Sequence, residues 1–269
     1  MRRFASVLTR LDPDADYLNF GVPGYSTDQE LLLLDPQVLG YAPDAVWLAF
    51  YLGNDLLDNA LDYPLQADQA KPRFELLGDG SLVLGNVPVP LEEKGAVARQ
   101  RTIDEIVYGD SLDAHRALLD RLVGSSHLLG RLVTARGVID DPELEAVLDA
   151  RLAQQKRLLG ALLAEFATNV RARGAVLVLI PLPGQSVVEQ PRSPAAVFQR
   201  YVSRFVVSEA ERLGIVVADP QAMLRAACGG SELPCFYRNE GHYTAVAHGL
   251  IGEFLSDSKR RRAAPGRPS

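Results

Sequence analysis

The chain's 269 residues, 47% hydrophobic and 23% charged, suit one soluble globular domain. A formal net charge of -6 and an isoelectric point near 5.3 argue against nucleic acid as a main partner. No apolar run is long enough to span a bilayer, and the stretch Met1 to Leu8 has basic residues without the apolar core of a signal peptide. Cytoplasm is therefore the default location for the chain as written, with export expected if a longer N-terminus carries a signal.

Phe4, Val7, Leu8 and Leu11 recur at helical spacing and predict a helix over Arg2 to Leu11. Tyr17-Leu18-Asn19-Phe20 predicts a short strand. The following Gly21-Val22-Pro23-Gly24-Tyr25-Ser26-Thr27 is punctuated by glycine and proline, as a tight loop is. Ser26 with Gln29, or Thr27 with Glu30, supplies a capping box for a helix through Leu31 to Leu34. A strand, a glycine loop and a helix N-terminus in succession aim backbone N–H groups at whatever occupies the loop. A nucleotide phosphate is one such occupant, but the loop has neither a G-x-G-x-x-G pattern nor a Walker lysine. Next, Val46-Trp47-Leu48-Ala49-Phe50-Tyr51-Leu52 reads as a strand buried on both faces, of the kind found in parallel sheets covered by helices. It breaks at Gly53, and Asn54 and Asp55 follow at its carboxyl end, where ligands sit in open α/β sheets. By themselves these three residues read as an Asn-Asp turn closing a strand.

A long excursion runs from Leu56 to about Asp140. Phe74 to Leu77, a Gly78-Asp79-Gly80 turn and Ser81 to Leu84 predict a β-hairpin, and Ser111 to Arg136 a helix interrupted near Gly124-Ser125-Ser126. An insertion leaving the strand's carboxyl end lies over the site, as a lid or substrate wall. His115 and His127 fall inside it with no metal-ligand spacing, and are read as surface or packing residues. Asp141-Pro142-Glu143 opens a helix with buried stripe Leu144, Leu148, Leu152, Leu159, Leu163, Phe166 and Val170, closing at Arg171, Arg173 and Gly174. Ala175 to Ile180 is a buried strand stopped by Pro181 and Pro183; Ser193-Pro194 caps a helix ending at Leu213-Gly214; Ile215 to Ala218 is a further strand. Strands alternating with helices predict a doubly wound parallel α/β sheet with helices on both faces. With no repeat or linker, residues 1–258 read as one domain and 259–269 as a disordered, solvated basic tail.

Near the end, Tyr237-Arg238-Asn239-Glu240-Gly241-His242-Tyr243-Thr244 precedes an amphipathic helix through Val246, Leu250, Ile251, Phe254 and Leu255. This stretch, the Gly-Asn-Asp tip and Asn-Phe-Gly-Val-Pro-Gly-Tyr-Ser-Thr together resemble, in order, three of the four sequence blocks of the SGNH (GDSL-type) hydrolases. The resemblance spans Arg2 to about Asp257 and implies a flavodoxin-like sheet. It implies that the Gly24 N–H and the Asn54 side chain form an oxyanion hole and that His242 is the catalytic base. His248 matches a second histidine of the last block that packs on the helix. The family's acid falls at Glu240, with Asn239 the alternative; only a carboxylate both fixes the imidazole tautomer and stabilises the imidazolium. No metal and no cofactor are implied.

The family's first block, Gly-Asp-Ser at the end of the first strand, has no counterpart upstream of the first helix. The one Gly-Asp-Ser present, Gly109-Asp110-Ser111, lies inside the insertion, follows no buried strand and reads as a helix cap; Ser26 also reads as a cap. The implied activity is hydrolysis of an ester, on a small molecule or as an O-acetyl group on a carbohydrate, by serine acyl transfer. Two readings follow: a hydrolase whose nucleophile lies on a longer N-terminus, or a catalytically silent relative that binds a ligand or partner in the remnant cleft. Cys228 and Cys235, the only cysteines, read either as a disulfide in an oxidising compartment or as two free thiols.

Overall fold

The structure, a computed structural model, describes residues 3–65, 67–91, 142–191, 193–230, 233–238 and 241–263. The helix expected over Ser111 to Arg136, with His115, His127 and Gly109-Asp110-Ser111, lies outside the described residues, as do Asp141, Asn239, Glu240 and the side chain of Leu144.

Helix α1 (Phe4–Leu11) forms at the predicted spacing and buries Val7 and Leu8. Helix α2 (Thr27–Leu33) runs on through a π-turn and a 3-10 turn to Tyr41, and Ala42 at φ 51° redirects the chain into strand β1 (Ala45–Tyr51). Helix α3 (Asp55–Asp58) follows at once, then the antiparallel hairpin of β2 (Arg73–Leu76) and β3 (Leu82–Gly85), where the sequence predicts it. The described chain continues through α4 (Pro142–Arg151), α5 (Ala153–Ala172), β4 (Val176–Leu182), α6 (Gln185–Glu189), α7 (Pro194–Arg212), β5 (Val216–Val217), α8 (Gln221–Cys228) and α9 (Ala245–Ala263). Ser193 caps α7 as expected, its hydroxyl oxygen accepting from the Ala196 N–H at 3.2 Å.

The main sheet is parallel, in the order β1-β4-β5. Because successive side chains of a strand point to opposite faces, β1 and β4 divide the core in two. Leu48, Phe50, Leu52, Leu177 and Leu179 join a cluster with Leu31 of α2, Phe166 and Val170 of α5 and Phe198 and Val202 of α7. Val178, Ile180 and Leu182, with the half-buried Trp47, Ala49 and Tyr51, join Leu8 of α1, Leu224 of α8 and Ile251 and Leu255 of α9. This is an α/β fold. Among the described residues, no helix is long and apolar enough to cross a membrane.

Four sequence expectations are corrected. Tyr17 to Phe20 is not a strand: among the described residues it has no strand beside it to complete a ladder, and Leu18 is 57% exposed. Strand β4 does not stop before Pro181 but continues to Leu182. The Val176 N–H and Leu182 C=O face β1, so in a parallel ladder the intervening odd residues face β5, as Leu179 does when its carbonyl accepts from the Ala218 N–H. At Pro181 strand β5 has already ended, so the missing N–H breaks no bond. The helix expected over 142–173 is broken at Leu152 (φ -101°), yet Leu148 and Leu152, one turn apart, are both buried in the core with the α5 stripe. The tail is helical as far as Ala263, because Lys259 Nζ pairs with Asp12 at 2.6 Å and the Arg260 guanidinium donates to the Leu11 carbonyl at the end of α1.

One edge of β1 is left without a partner strand among the described residues. The Asp44 C=O and Leu52 N–H bond to β4, so Ala45, Trp47, Ala49 and Tyr51 direct their backbone groups away from it. Asp55 accepts the Tyr51 N–H at 2.6 Å. Nothing among the described residues bonds the backbone groups of Ala45, Trp47 and Ala49 on that side, so β1 has an open edge.

Candidate functional site

Three loops meet the carboxyl end of the sheet. In the first, Val22 to Tyr25 make a turn closed by the Tyr25 N–H donating to the Val22 carbonyl at 3.2 Å, with Pro23 and Gly24 at its centre. Gly24 sits at φ +82°, the left-handed position that the third residue of such a turn requires. It is exposed, its N–H has no partner among the described residues, and the space where a side chain would stand is empty.

Ser26, Thr27 and Asp28 are buried directly behind this turn. Ser26 occupies the cap position of α2, but the expected capping box does not form: its hydroxyl donates to Asp28 Oδ1 at 2.9 Å instead of accepting from the helix. Asp28 is the hub. Its Oδ1 also accepts the Gln29 N–H, its Oδ2 pairs with the buried Lys71 ammonium, and its own N–H donates to Asn59 Oδ1 at 3.0 Å. Burial pushes the Asp28 carboxyl up, and Lys71 opposes that shift.

The second loop is Gly53-Asn54-Asp55. Gly53 is required because a Cβ there would run into the Tyr51 ring. Asn54 is buried, and its amide donates to Asp58 Oδ2 one helical turn on, leaving a second amide hydrogen for another acceptor. Asp58 Oδ1 accepts the Leu65 N–H at 2.9 Å, and its carboxyl is raised by burial. Asp55 is raised well above the usual carboxylate range by burial and then by Glu30, whose own carboxyl is pushed up to about 8 by burial and by Asp28.

The third loop carries His242, which is exposed. Phe236 and Tyr243 form an isolated bridge, the Tyr237 N–H donates to the His242 carbonyl at 2.9 Å, and the Thr244 N–H donates to the Cys235 carbonyl at 3.0 Å. The Tyr243 hydroxyl donates to the Pro183 carbonyl just past β4, and burial drives that phenol well above its ordinary range. Tyr51 stands between Gly53 and Gly184, since a side chain at either would meet its ring or hydroxyl. Cys228 and Cys235 are joined in a disulfide, which resolves the open reading of the two cysteines and ties the His242 loop to the end of α8. Replacing both by serine is expected to lower stability by about 2 kcal/mol, the low end of the usual range because the closed loop is short. Thermal melts of the parent with and without reductant, set beside the double variant, check this; equal melting in all three would refute it.

Thus the Gly24 and Asn54 loops are joined by the Asp28–Asn59 bond. His248 packs on α9 between Phe4 and Tyr243, at ring distances of 5.9 and 5.8 Å, and burial lowers its pKa. Sequence reasoning missed Asp28, Asp58, Asn59 and Lys71. Asp58 lies one helical turn after Asn54 and was within reach of spacing, but nothing local marks Lys71. Among the described residues no group of three or more His, Cys, Asp and Glu is arranged to hold a metal ion. Comparisons with protein-family models, with curated proteins and with solved structures each found no match.

Proposed function

We propose that this chain forms the body of an SGNH-type ester hydrolase acting by serine acyl transfer on a carboxylic ester or a carbohydrate O-acetyl group. The observation that carries the reading is the Gly24 N–H, without a partner among the described residues, set on a hydrogen-bonded turn and joined to the Asn54 loop through Asp28 and Asn59. Fixed donors of this kind stabilise an oxyanion because they need no reorganisation as charge develops. In this reading the second amide hydrogen of Asn54 is the other donor and His242 takes the proton from the serine. Glu240, or else Asn239, holds the imidazole. The disulfide fits an oxidising compartment and hence an exported form.

The serine belongs, in this proposal, to a Gly-Asp-Ser strand that pairs with the open edge of β1. That strand would complete a doubly wound, flavodoxin-like sheet and bring the hydroxyl to the carboxyl end, beside Gly24 and Asn54. The engagement of Asn54 with Asp58 favours the second reading, a silent binding relative, only if no such strand exists.

Labelling with a fluorophosphonate and hydrolysis of p-nitrophenyl acetate test the proposal. The 269-residue chain is expected to give neither. A form extended upstream, in frame, through a Gly-Asp-Ser that follows an apolar run is expected to give both, with the label on that serine. A labelled serine in the 269-residue chain itself, or an extended form that stays silent, would refute the assignment.

A further inference from the structure

We infer that the buried Lys71–Asp28 ion pair is a positioning device that locks the Gly24 turn to the Asn54–Asn59 turn. Lys71 and Asp28 are 2% and 0% exposed, so both charges have left water. A buried ion pair is a poor source of stability, because desolvation offsets much of the attraction; what it supplies is a fixed geometry. Here the geometry is specified from several sides. Lys71 is held by its own backbone, the N–H donating to the Asp62 carbonyl at 2.8 Å and the C=O accepting from Asn86 at 2.7 Å. Its ammonium therefore projects from a fixed point at the base of the hairpin. Asp28 has both carboxylate oxygens engaged, one by Lys71 and the other by Ser26 and Gln29. With the side chain pinned, the Asp28 N–H is aimed at Asn59, which lies just past the end of the short helix that Asn54 begins. The pair thus sets the separation of the Gly24 N–H from the Asn54 amide without touching anything bound there.

The significance of that separation rests on the ester-hydrolase reading, but the positioning does not, and the test keeps them apart. Amide hydrogen exchange is measured on the full chain and on Lys71→Met, which keeps the unbranched stem of the side chain and removes its charged end. The Asp28 and Tyr25 amides are expected to exchange at least about tenfold faster, through local opening. The Leu52 and Ala218 amides of the sheet are expected to stay within about twofold. Unchanged exchange at Asp28 and Tyr25 would overturn the proposal, and so would equal acceleration in the sheet. Should Lys71→Met fail to fold, Asp28→Asn with Lys71→Met leaves no uncompensated charge, and the same loosening at Tyr25 is expected. If that variant too fails to fold, the pair is a stability element and the proposal falls. In a serine-bearing form, Lys71→Met is expected to lower kcat by about tenfold with KM little changed, since a small misplacement acts on the transition state. An equal loss confined to KM would count against it. Absence of esterase activity in every form would sink the ester reading and leave the exchange result standing.

Discussion

If the proposed ester-hydrolase reading holds, His242→Ala in a serine-bearing form is expected to lower kcat by roughly ten-thousandfold, because in that proposal His242 takes the serine proton. On the same proposal Asn54→Ala is expected to cost roughly a hundred- to a thousandfold, the loss usual when one oxyanion donor is removed. His248→Ala is expected to leave the chemical step nearly unchanged, since His248 is packed between Phe4 and Tyr243 on α9 while His242 stands exposed in the loop. Asn54→Ala also strips Asp58 of a hydrogen bond, so its melting temperature must be measured beside its kinetics. A fall in kcat that merely follows a fall in melting temperature would assign Asn54 to structure. Loss of activity in His248→Ala with activity kept in His242→Ala would move the base to the wrong side of this assignment.

Periodicity carried most of the fold, and its failures have identifiable causes. The seven residues of β1, the hairpin and the Ser193-capped helix are legible because each rests on neighbours in sequence. Tyr17 to Phe20 has the composition of a strand, but a strand also needs an edge to pair with, and composition is silent about edges. Pro181 looks like a stop only until the short reach of β5 is known. At the site, Gly24 and Asn54 could be picked out as turn and tip residues. The Asp28–Lys71 pair could not, because its partners are 43 residues apart and the pairing depends on how the hairpin folds back. The disulfide was open for a different reason: two nearby cysteines state a possibility, and only the juxtaposition of the end of α8 with the Phe236–Tyr243 bridge realises it.

The crowding of carboxylates behind Gly24 has a consequence for stability against pH, best tested at Glu30. Burial first, and Asp28 second, push its carboxyl from 4.5 to about 8, and its Oε2 has no hydrogen-bond partner among the described residues. Between those pH values the folded chain keeps a proton that the unfolded chain has released. Stability therefore falls as pH rises from about 4.5 toward about 8, and levels off above that. Asp55, raised by burial and then by Glu30, and Asp28, raised by burial against the pull of Lys71, act in the same direction. At about 1.4 kcal/mol per pH unit the Glu30 contribution has an upper bound of about 5 kcal/mol. The residue is only half-buried, so solvent screens part of this, and about 2 kcal/mol is the expected magnitude. Glu30→Gln keeps the shape and cannot ionise. It is expected to match the parent in urea unfolding at pH 4, where the parent's carboxyl is protonated in the folded chain, and to exceed it by about 2 kcal/mol at pH 9. Removing the charge also relieves Asp55, which adds to the gain in the same pH range. A variant equal to the parent at both pH values, or weaker than it at pH 9, would mean that Glu30 finds solvent or a partner when it ionises, and that the cluster behind Gly24 is not a low-dielectric one.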